Sequence, residues 1–396
     1  SQPKPATMST ITTFQALLKG LPRAVFNRCV ERHNADKGCK RFRHWDHLLA
    51  MVYAQLSGAP SLRTIELGFN SHALYHDQLR TGDVHRSTLA WASKRRSAVV
   101  FDDTAAWLMG QVSRKLRQDA SALICLLDST SITLTGRGFD SWTLENRNRN
   151  TQGIKLHVLL DAKTHAPLWH DFSDPNVNDV TQARQVPLQR KALYVFDKGY
   201  CDYNWWAKID EVGARFVTRI KSNAGIEWGE DLPIPEEAQS IVLADELVRF
   251  KHRQLTKGRV NHYTKVLRRV TLRRLDKPTS LVLVTNDLHS TALEIGQRYK
   301  ERWEIELFFK WLKQHLKIKA FFGRSRNAVH IQVVSALIAY LLVALYKKAH
   351  RVRHTLWHSL SLIIATLFEP PVVDPEPFRT CRKKARTLQP RQRRRL

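Results

Sequence analysis

Residues 9 to about 120 place apolar and polar positions with the period of a helix. Apolar residues recur three and four positions apart in TFQALLKGLP, HWDHLLAMVYAQLSG and STLAWASKRR, a spacing that collects them on one helical face. Gly and Pro separate these segments, as in Gly20-Leu21-Pro22 and Gly58-Ala59-Pro60, because both residues interrupt regular structure. The pattern predicts an all-α N-terminal domain over residues 1–120.

The pattern changes to that of strands near residue 121. SALICLLDSTSITL is a nearly continuous apolar run, GIKLHVLLD alternates, and APLWHDFSD, KALYVFDKGY and RFVTRIK follow as further short runs. Strands mixed with helical segments predict an α/β fold, a mixed sheet with flanking helices. We assign this core to residues 121–221 and 280–350, with a β-rich insertion over residues 222–279.

Two long helices are predicted near the end of the core. The first runs from Ser290 to His315 and the second from about Asn327 to His350. The second contains VVSALIAYLLVALY, which at 14 residues is short for a membrane span and typical of a buried core helix. No membrane association is therefore expected. Residues 351–396 form a C-terminal region whose basic tail predicts phosphate binding.

Composition indicates the class of partner. Of 396 residues, 64 are Lys or Arg and 36 are Asp or Glu, which gives a formal charge of +28. A polyanion is the expected partner, and a hydrophobic share of 43% excludes a disordered basic chain. The five cysteines are widely spaced and form no Cys-x-x-Cys pair, which indicates a reducing, cytoplasmic setting.

A metal-binding interpretation of the first cysteines is weak. Cys29, His33, Cys39 and His44 lie near one another in the sequence, but their spacing matches no zinc finger. Scattered structural residues are the favoured interpretation.

The stretch TGDVHRSTLAWASKRR resembles the second half of a helix-turn-helix unit. A short turn precedes a helix that begins near Ser87, and such helices offer their exposed end to DNA. The residues expected to contact DNA are Arg86, Lys94, Arg95 and Arg96. An ordinary amphipathic helix with a solvated basic end explains the pattern equally well.

Two acidic residues stand at the ends of apolar strands. Asp128 follows ICLL and Asp197 follows LYVF. A carboxylate there is costly to desolvate unless a partner neutralises it, and two of them on one sheet suggest a shared cation. Hard oxygen ligands favour Mg²⁺ or Mn²⁺ over zinc.

A third carboxylate is expected from the first long helix. At 100° per residue, one stripe collects Tyr299, Arg302, Glu306, Lys310 and Lys313. Ion pairs four residues apart on a helix would explain the stripe alone, at a few tenths of a kcal/mol each. Together with the two Asp residues, Glu306 completes a set able to hold two metal ions for phosphodiester chemistry, with cations nearby for phosphates.

These residues resemble the signature of IS4-type bacterial insertion-sequence transposases. The run Y-x2-R-x3-E-x6-K matches Tyr299, Arg302, Glu306 and Lys313, and the similarity extends over about residues 121–350 through FDKGY, LLDSTSITL and RFVTRIKSN. The resemblance implies an RNase H-like core and Mg²⁺-dependent cleavage and joining of double-stranded DNA at the ends of a mobile element. It also implies a homodimer on DNA and a bacterial cytoplasmic protein associated with the nucleoid.

The resemblance also assigns roles to individual residues. Asp128, Asp197 and Glu306 become the metal ligands and catalytic carboxylates. Tyr299 and Arg302 become contacts to the phosphate and the displaced base near the cut. Lys313 becomes a backbone-phosphate contact, whereas Lys310 is added from the helical stripe alone.

Several further residues have two interpretations. Trp228 is the candidate in the insertion for stacking on a flipped base, but core or loop packing is favoured for it, and Trp205, Trp206 or Trp303 could stack instead. Asp174 and Asp179 could support the site, but loop solvation or helix capping is favoured. For His157, packing within a strand is favoured.

The predicted function is that of a DNA transposase. Two other functions compete with this prediction. A nuclease of the same fold would cut DNA without joining it. A DNA-binding repressor would use the carboxylates only as structural ion pairs.

Overall fold

The computed structural model describes residues 11–116, 123–146, 151–220, 224–252, 260–274, 278–316, 320–352 and 356–371. The predicted basic tail lies outside these ranges.

The N-terminal part is helical, as predicted. Its helices are α1 Thr13–Leu18, α2 Arg23–Arg32, α3 His44–Leu56, α4 Leu62–Asn70, α5 His76–Leu79, α6 Arg86–Arg95 and α7 Val99–Leu116. Local signals set several starts: Thr12 and Gln15 form a capping box at α1, and Ser61 caps α4. The predicted helix near Ser87 is α6.

One large sheet forms the centre of the molecule. Its strands are β1 Ile124–Thr133, β2 Leu144–Asn146, β3 Thr151–Asp161, β4 Pro167–Ser173, β5 Leu193–Phe196, β6 Arg215–Arg219, β7 Ile226–Asp231, β8 Val242–Phe250, β9 Leu267–Leu272 and β10 Leu281–Thr285. The strand order is β2-β3-β1-β5-β6-β10-β9-β8-β7, and β4 also pairs with β3. Strands β1, β3 and β4 are antiparallel, whereas β1, β5 and β6 are parallel. The predicted mixed sheet is confirmed.

The insertion continues this sheet. Strands β7, β8 and β9 pair in antiparallel order, and β9 pairs with β10 of the core. Two bidentate pairs fix the register between β8 and β9, Arg268 with Asp245 and Arg269 with Glu246. The insertion is β-rich as predicted, and it shares an unbroken hydrogen-bonded sheet with the core.

Helices cover both sides of the sheet. The helices of this part of the chain are α8 Asp179–Ala183, α9 Tyr203–Glu211, α10 Ala292–Lys300, α11 Trp303–His315, α12 Arg326–Ala349 and α13 Leu356–Ala365. Of these, α9, α10 and α11 contact the sheet strands. Helix α12 corresponds to the second predicted long helix. By length and composition it could cross a membrane, but 94% of its apolar window is buried inside the fold. It packs against α1, α3, α6, α7 and α13, which explains why it is apolar on all sides.

The prediction of one helix from Ser290 to His315 is wrong. The helix breaks at Glu301 and Arg302, where the backbone N–H groups of residues 302, 304 and 305 bond three residues back. This tighter turn keeps helical dihedral angles but redirects the chain. The single stripe therefore divides between two helices, with Tyr299 on α10 and Glu306 on α11.

Candidate active site

Strand register places the first two carboxylates side by side. Leu127 of β1 pairs in parallel with Phe196 of β5, so the next residues, Asp128 and Asp197, lie at the same level of the sheet. Asp197 follows the end of β5, as predicted, whereas Asp128 lies within β1, which continues to Thr133 because it stays paired with β3. The preceding apolar residues are buried on both faces, as in a parallel sheet between helical layers. The predicted pairing of these two acids at one place on the sheet therefore has a backbone cause.

Helix α10 and strand β6 approach Asp197 from either side. The Tyr299 hydroxyl donates a hydrogen bond to Asp197 Oδ1 at 3.1 Å. Arg219, at the end of β6, lies 3.6 Å from the same oxygen. Burial, together with the negative charge of Asp197, raises the pKa of Tyr299 well above its usual value, so this phenol stays protonated as a donor.

Arg302 joins the other two acids. Its guanidinium donates to Asp128 Oδ2 at 3.1 Å and to Glu306 Oε1. The side chain is only 17% exposed, and its Nε has no hydrogen-bond partner among the described residues. Arg302 stands at the N-cap position of α11, at the helix break, and its side chain bonds to the acids and not to the backbone of that helix.

The site raises the proton affinity of its most buried acid. Burial raises the pKa of Asp128 to about 6, and the charges of Glu306 and Asp197 add to the effect. The Ser129 backbone N–H, which donates to Asp128 Oδ1 at 2.8 Å, and Arg302 act in the opposite direction. An acid held under these conditions favours a further cation close by.

The donor set suits a hard divalent metal. Three carboxylates, with no thiol or imidazole among them, are the ligand type of Mg²⁺ and Mn²⁺. Within the described ranges, however, no three such side chains are gathered closely enough to hold an ion as they stand. Arg302 takes oxygens of both Asp128 and Glu306, so the ligands would form a metal site only once Arg302 turns away from one of them.

A groove of about 380 Å³ opens beside these acids. Asp128 and Glu306 line it, together with Lys310 and Lys313. Lys313 donates to the Ser131 carbonyl at 3.0 Å, which holds its charge at the groove wall. The structure thus brings both predicted lysines to the acids, although Lys310 had been inferred from periodicity alone.

A neighbouring ion pair was not predicted as a unit. Lys155 donates to Asp179 Oδ1 at 3.0 Å, and the Ser129 hydroxyl lies 3.3 Å from the same oxygen. Because Asn178 supplies the cap of α8, Asp179 has no capping role. Asp179 thus reaches the residue that follows Asp128, whereas Asp174 contributes backbone bonds to a turn.

His157 is a packed strand residue, as the sequence favoured. It is fully buried, and its Nε2 lies 2.8 Å from the Ser173 hydroxyl. Burial lowers its pKa to about 4, so the ring is neutral near pH 7.

The aromatic candidates differ in accessibility. Trp205 and Trp206 are buried under the sheet and cannot stack on a base. Trp228 is 39% exposed on β7, the outer strand of the insertion, with Arg249 over its ring. Trp303 is 58% exposed and directly follows Arg302.

Helix α6 presents some of its basic residues and buries one. Arg86, Lys94 and Arg95 are exposed, as a DNA-contacting face requires. Arg96 is buried, and its guanidinium donates to the Phe42 carbonyl and lies over the Phe42 ring. The expectation that Arg96 contacts DNA therefore conflicts with its position, because its hydrogen bonds hold the α2–α3 connection.

The cysteine and histidine cluster near the N-terminus is dispersed. His33 pairs with Asp103 and His44 with Asp36, while Cys29 and Cys39 are free thiols.

Family comparisons identify what the chain is similar to. Residues 119–342 match the model described as the transposase DDE domain, and residues 9–77 match a domain of unknown function (DUF4372). The transposase-named protein y4zB of Sinorhizobium fredii is 38% identical, over 72% of this chain and 81% of that protein. A protein of Geobacillus stearothermophilus named for insertion sequence element IS5377 is 28% identical, over 65% of this chain and 66% of its own length.

One more relative and one solved structure complete the comparison. A Synechocystis protein named for insertion sequence element IS4SA is 26% identical, over 67% of this chain and 73% of its length. A structure of the piggyBac transposase synaptic complex with hairpin DNA aligns with a TM-score of 0.48 and 12% identity, over 93% of this chain and 83% of that chain.

Proposed function

This chain belongs to the transposase DDE-domain family and is a DNA transposase, and we propose that Asp128, Asp197 and Glu306 are its catalytic carboxylates. The observation that carries the proposal is their convergence. Strand register pairs the two Asp residues, and Arg302 connects Asp128 to Glu306. Their convergence supports the roles that the resemblance to insertion-sequence transposases implies for these three side chains.

Divalent-metal dependence is general in this family, and two ions, Mg²⁺ or Mn²⁺, are the cofactors we propose here. Asp128, Asp197 and Glu306 would hold them through carboxylate oxygens. When bound, such ions favour formation of the attacking oxygen nucleophile and stabilise the leaving oxygen.

The protein's own residues position the DNA strand. Lys310 and Lys313 project beside the acids and would hold backbone phosphates. Arg302, once released from an acid, offers a planar donor pair for a phosphate. Tyr299 orients Asp197 through its hydroxyl and presents its ring near the scissile strand.

Base stacking has two candidates. Trp228 remains our prediction from the insertion, whereas the greater exposure of Trp303 and its place next to Arg302 favour Trp303. The fluorescence of 2-aminopurine at the element end would distinguish them. Trp303→Ala, but not Trp228→Ala, should abolish quenching if Trp303 stacks, and the reverse result would assign Trp228.

The remaining parts have proposed roles in DNA recognition. The helices of residues 1–120 would bind the terminal inverted repeats, with Arg86, Lys94 and Arg95 of α6 facing the duplex. The core of residues 121–221 and 280–350 would catalyse cleavage and joining, and the 222–279 insertion would flank the cut. A homodimer would hold two ends together in the bacterial cytoplasm, and the 351–396 region would add nonspecific phosphate contacts.

A cleavage and strand-transfer assay tests the carboxylate assignment. The substrate is a labelled duplex of the inverted repeat that flanks the gene, incubated with Mg²⁺ and a target plasmid. We expect Glu306→Gln to abolish both nicking and joined product. Glu304→Gln is the matched control, because Glu304 is two residues away on α11 and faces His165, and it should retain both. Equal activity of the two variants would refute the assignment.

A further inference from the structure

A second groove lies where the N-terminal helices meet the catalytic part. Its volume is about 520 Å³, and the three acids do not line it. Its walls come from the end of α6, from the loop after β1 and from the connection into α12. Prominent lining residues are Lys94, Trp142, Phe322, Arg324 and Arg326.

Three basic side chains line the groove among mostly apolar ones. Lys94, Arg324 and Arg326 are exposed, and the described lining residues include no carboxylate. In the part of the chain that the structure describes, the side chains of Lys94 and Arg326 form no hydrogen bond or ion pair, so their charges are available. Arg324 donates to the Arg137 carbonyl at 2.6 Å, which leaves most of its donors open.

Hydrogen bonds hold the walls in place. Trp142 Nε1 donates to the Arg324 carbonyl at 2.7 Å, and Asn327 donates to the Ser93 carbonyl at 3.0 Å. The first bond joins the loop after β1 to the α12 connection, and the second joins α12 to the end of α6. A preformed site binds with a smaller ordering cost.

The groove is continuous in sequence with the catalytic elements. One wall follows β1, which carries Asp128, and another follows α11, which carries Glu306. The third wall belongs to α6, whose exposed face is our proposed end-binding surface. The groove is thus lined by segments that adjoin the elements to which the proposed function assigns DNA contacts.

We propose that this basic groove, formed around Lys94, Arg324 and Arg326, holds the DNA backbone between the end-binding helix α6 and the active site. The inference rests on the proposed function. Charge decides the occupant: three exposed cations, with no carboxylate among the described lining residues, suit consecutive phosphates. A second copy of this chain is the poorer fit, since at +28 it would bring mostly like charge.

The test measures DNA binding without cleavage. Full-length protein carrying Glu306→Gln is titrated into a fluorescent duplex of about 40 base pairs, the inverted-repeat end, at several salt concentrations. Each lost phosphate contact lowers the magnitude of the log–log salt slope by about 0.9. Lys94→Ala with Arg326→Ala should therefore lower it by about 1.8, and weaken binding roughly 60-fold near 0.1 M salt by the same relation.

The matched control removes equal charge from α12, the helix that carries Arg326. The control variant carries Lys347→Ala and Lys348→Ala. These residues lie at the other end of α12, about 33 Å from Arg326 at 1.5 Å per residue. The control variant should leave the slope at the parent value. Lys94→Arg with Arg326→Lys keeps the charge and should restore binding, which separates charge from folding damage.

Three results would overturn the proposal that this groove holds DNA. The Ala pair could bind with the parent slope, or the control pair could lower the slope equally, or the Ala pair could alter only self-association. Because binding is measured in a protein that need not cleave, failure of the carboxylate assignment would leave this measurement intact.

Discussion

Arg302 occupies the position in which it neutralises two acids at once. Its bonds to Asp128 and Glu306 use oxygens that a divalent metal would also need. A carboxylate oxygen cannot serve both cations fully, so arginine and metal should compete. Because of this competition, replacing Arg302 should change how strongly divalent metal stabilises the fold, in addition to removing a phosphate contact.

Arg302→Ala should make the fold depend on divalent metal. Loss of a largely buried pair costs about 3 kcal/mol and leaves Asp128 and Glu306 repelling each other. In EDTA we expect the melting temperature to fall, and Mg²⁺ should raise it more in the variant than in wild type. Arg298→Ala, which breaks only the exposed pair with Glu301, is the control. An equal Mg²⁺ response in wild type and Arg302→Ala would rule out competition.

Asp128 should make stability depend on pH without metal. Its folded pKa is about 6, above the unfolded value of about 3.9, so the folded state binds more protons between these values. The free energy of unfolding should fall as pH rises from about 4 to 6, by at most about 3 kcal/mol. Urea midpoints in EDTA measure this slope, and Asp128→Asn should flatten it.

A second acid acts in a separate range of pH. Burial raises the pKa of Asp102, but hydrogen bonds from His170 and His330 outweigh that effect and lower it to about 2. Its stabilisation is therefore lost as pH falls below about 4. A slope between pH 4 and 6 that survives in Asp128→Asn would show that Asp128 is not its source.

The sequence was sufficient to predict those site residues that a local pattern marks. Asp128 and Asp197 end apolar runs, and Tyr299, Arg302 and Glu306 share a spacing. Arg219 and the Lys155–Asp179 pair were missed because their contacts depend on which strands are neighbours. Arg96 was misjudged because a basic residue at a helix end gives no sign of burial.

The break between α10 and α11 is the main departure at the scale of elements. Periodicity cannot detect it, since residues 301 and 302 keep helical dihedral angles. The break lets Tyr299 reach Asp197 while Arg302 and Glu306 face Asp128. Side chains of two short helices thus contact all three acids, which one straight helix would have to reach along a single stripe.

Inserting one Ala between Lys300 and Glu301 should abolish cleavage. An added residue turns the following helix by about 100° and shifts it by about 1.5 Å, so Tyr299 and Arg302 cannot both keep their acids. The measurement is single-turnover cleavage with circular dichroism as a check on folding. An Ala inserted in the turn after α4, between Ser71 and His72, is the control. A folded, active Lys300 insertion variant would contradict the role of the break.

At the scale of the molecule, the N-terminal helices and the catalytic part share one core. One buried cluster contains residues of both parts, from Phe14 to Leu367, whereas a second cluster, around Trp205 and Phe216, lies within the catalytic part. Helix α12 packs against α3, α6 and α7. Sequence patterns predicted the helices and strands and a domain boundary at residue 120. They could not show that α12, which follows that boundary, packs among the N-terminal helices.

A fragment that begins at residue 121 should therefore fail to fold. Removal of α1–α7 exposes the apolar surface of α12, which favours aggregation. Analytical gel filtration and thermal unfolding would measure this. A monomeric fragment with a cooperative transition would contradict the shared core.

The central claim is that three carboxylates form the metal centre that cleaves DNA. Electron paramagnetic resonance of Mn²⁺ bound to the protein–DNA complex counts the ions directly. We predict two ions per active site in wild type and in Glu304→Gln, and loss of at least one in Glu306→Gln. The same number of bound ions in Glu306→Gln and in wild type would contradict the claim.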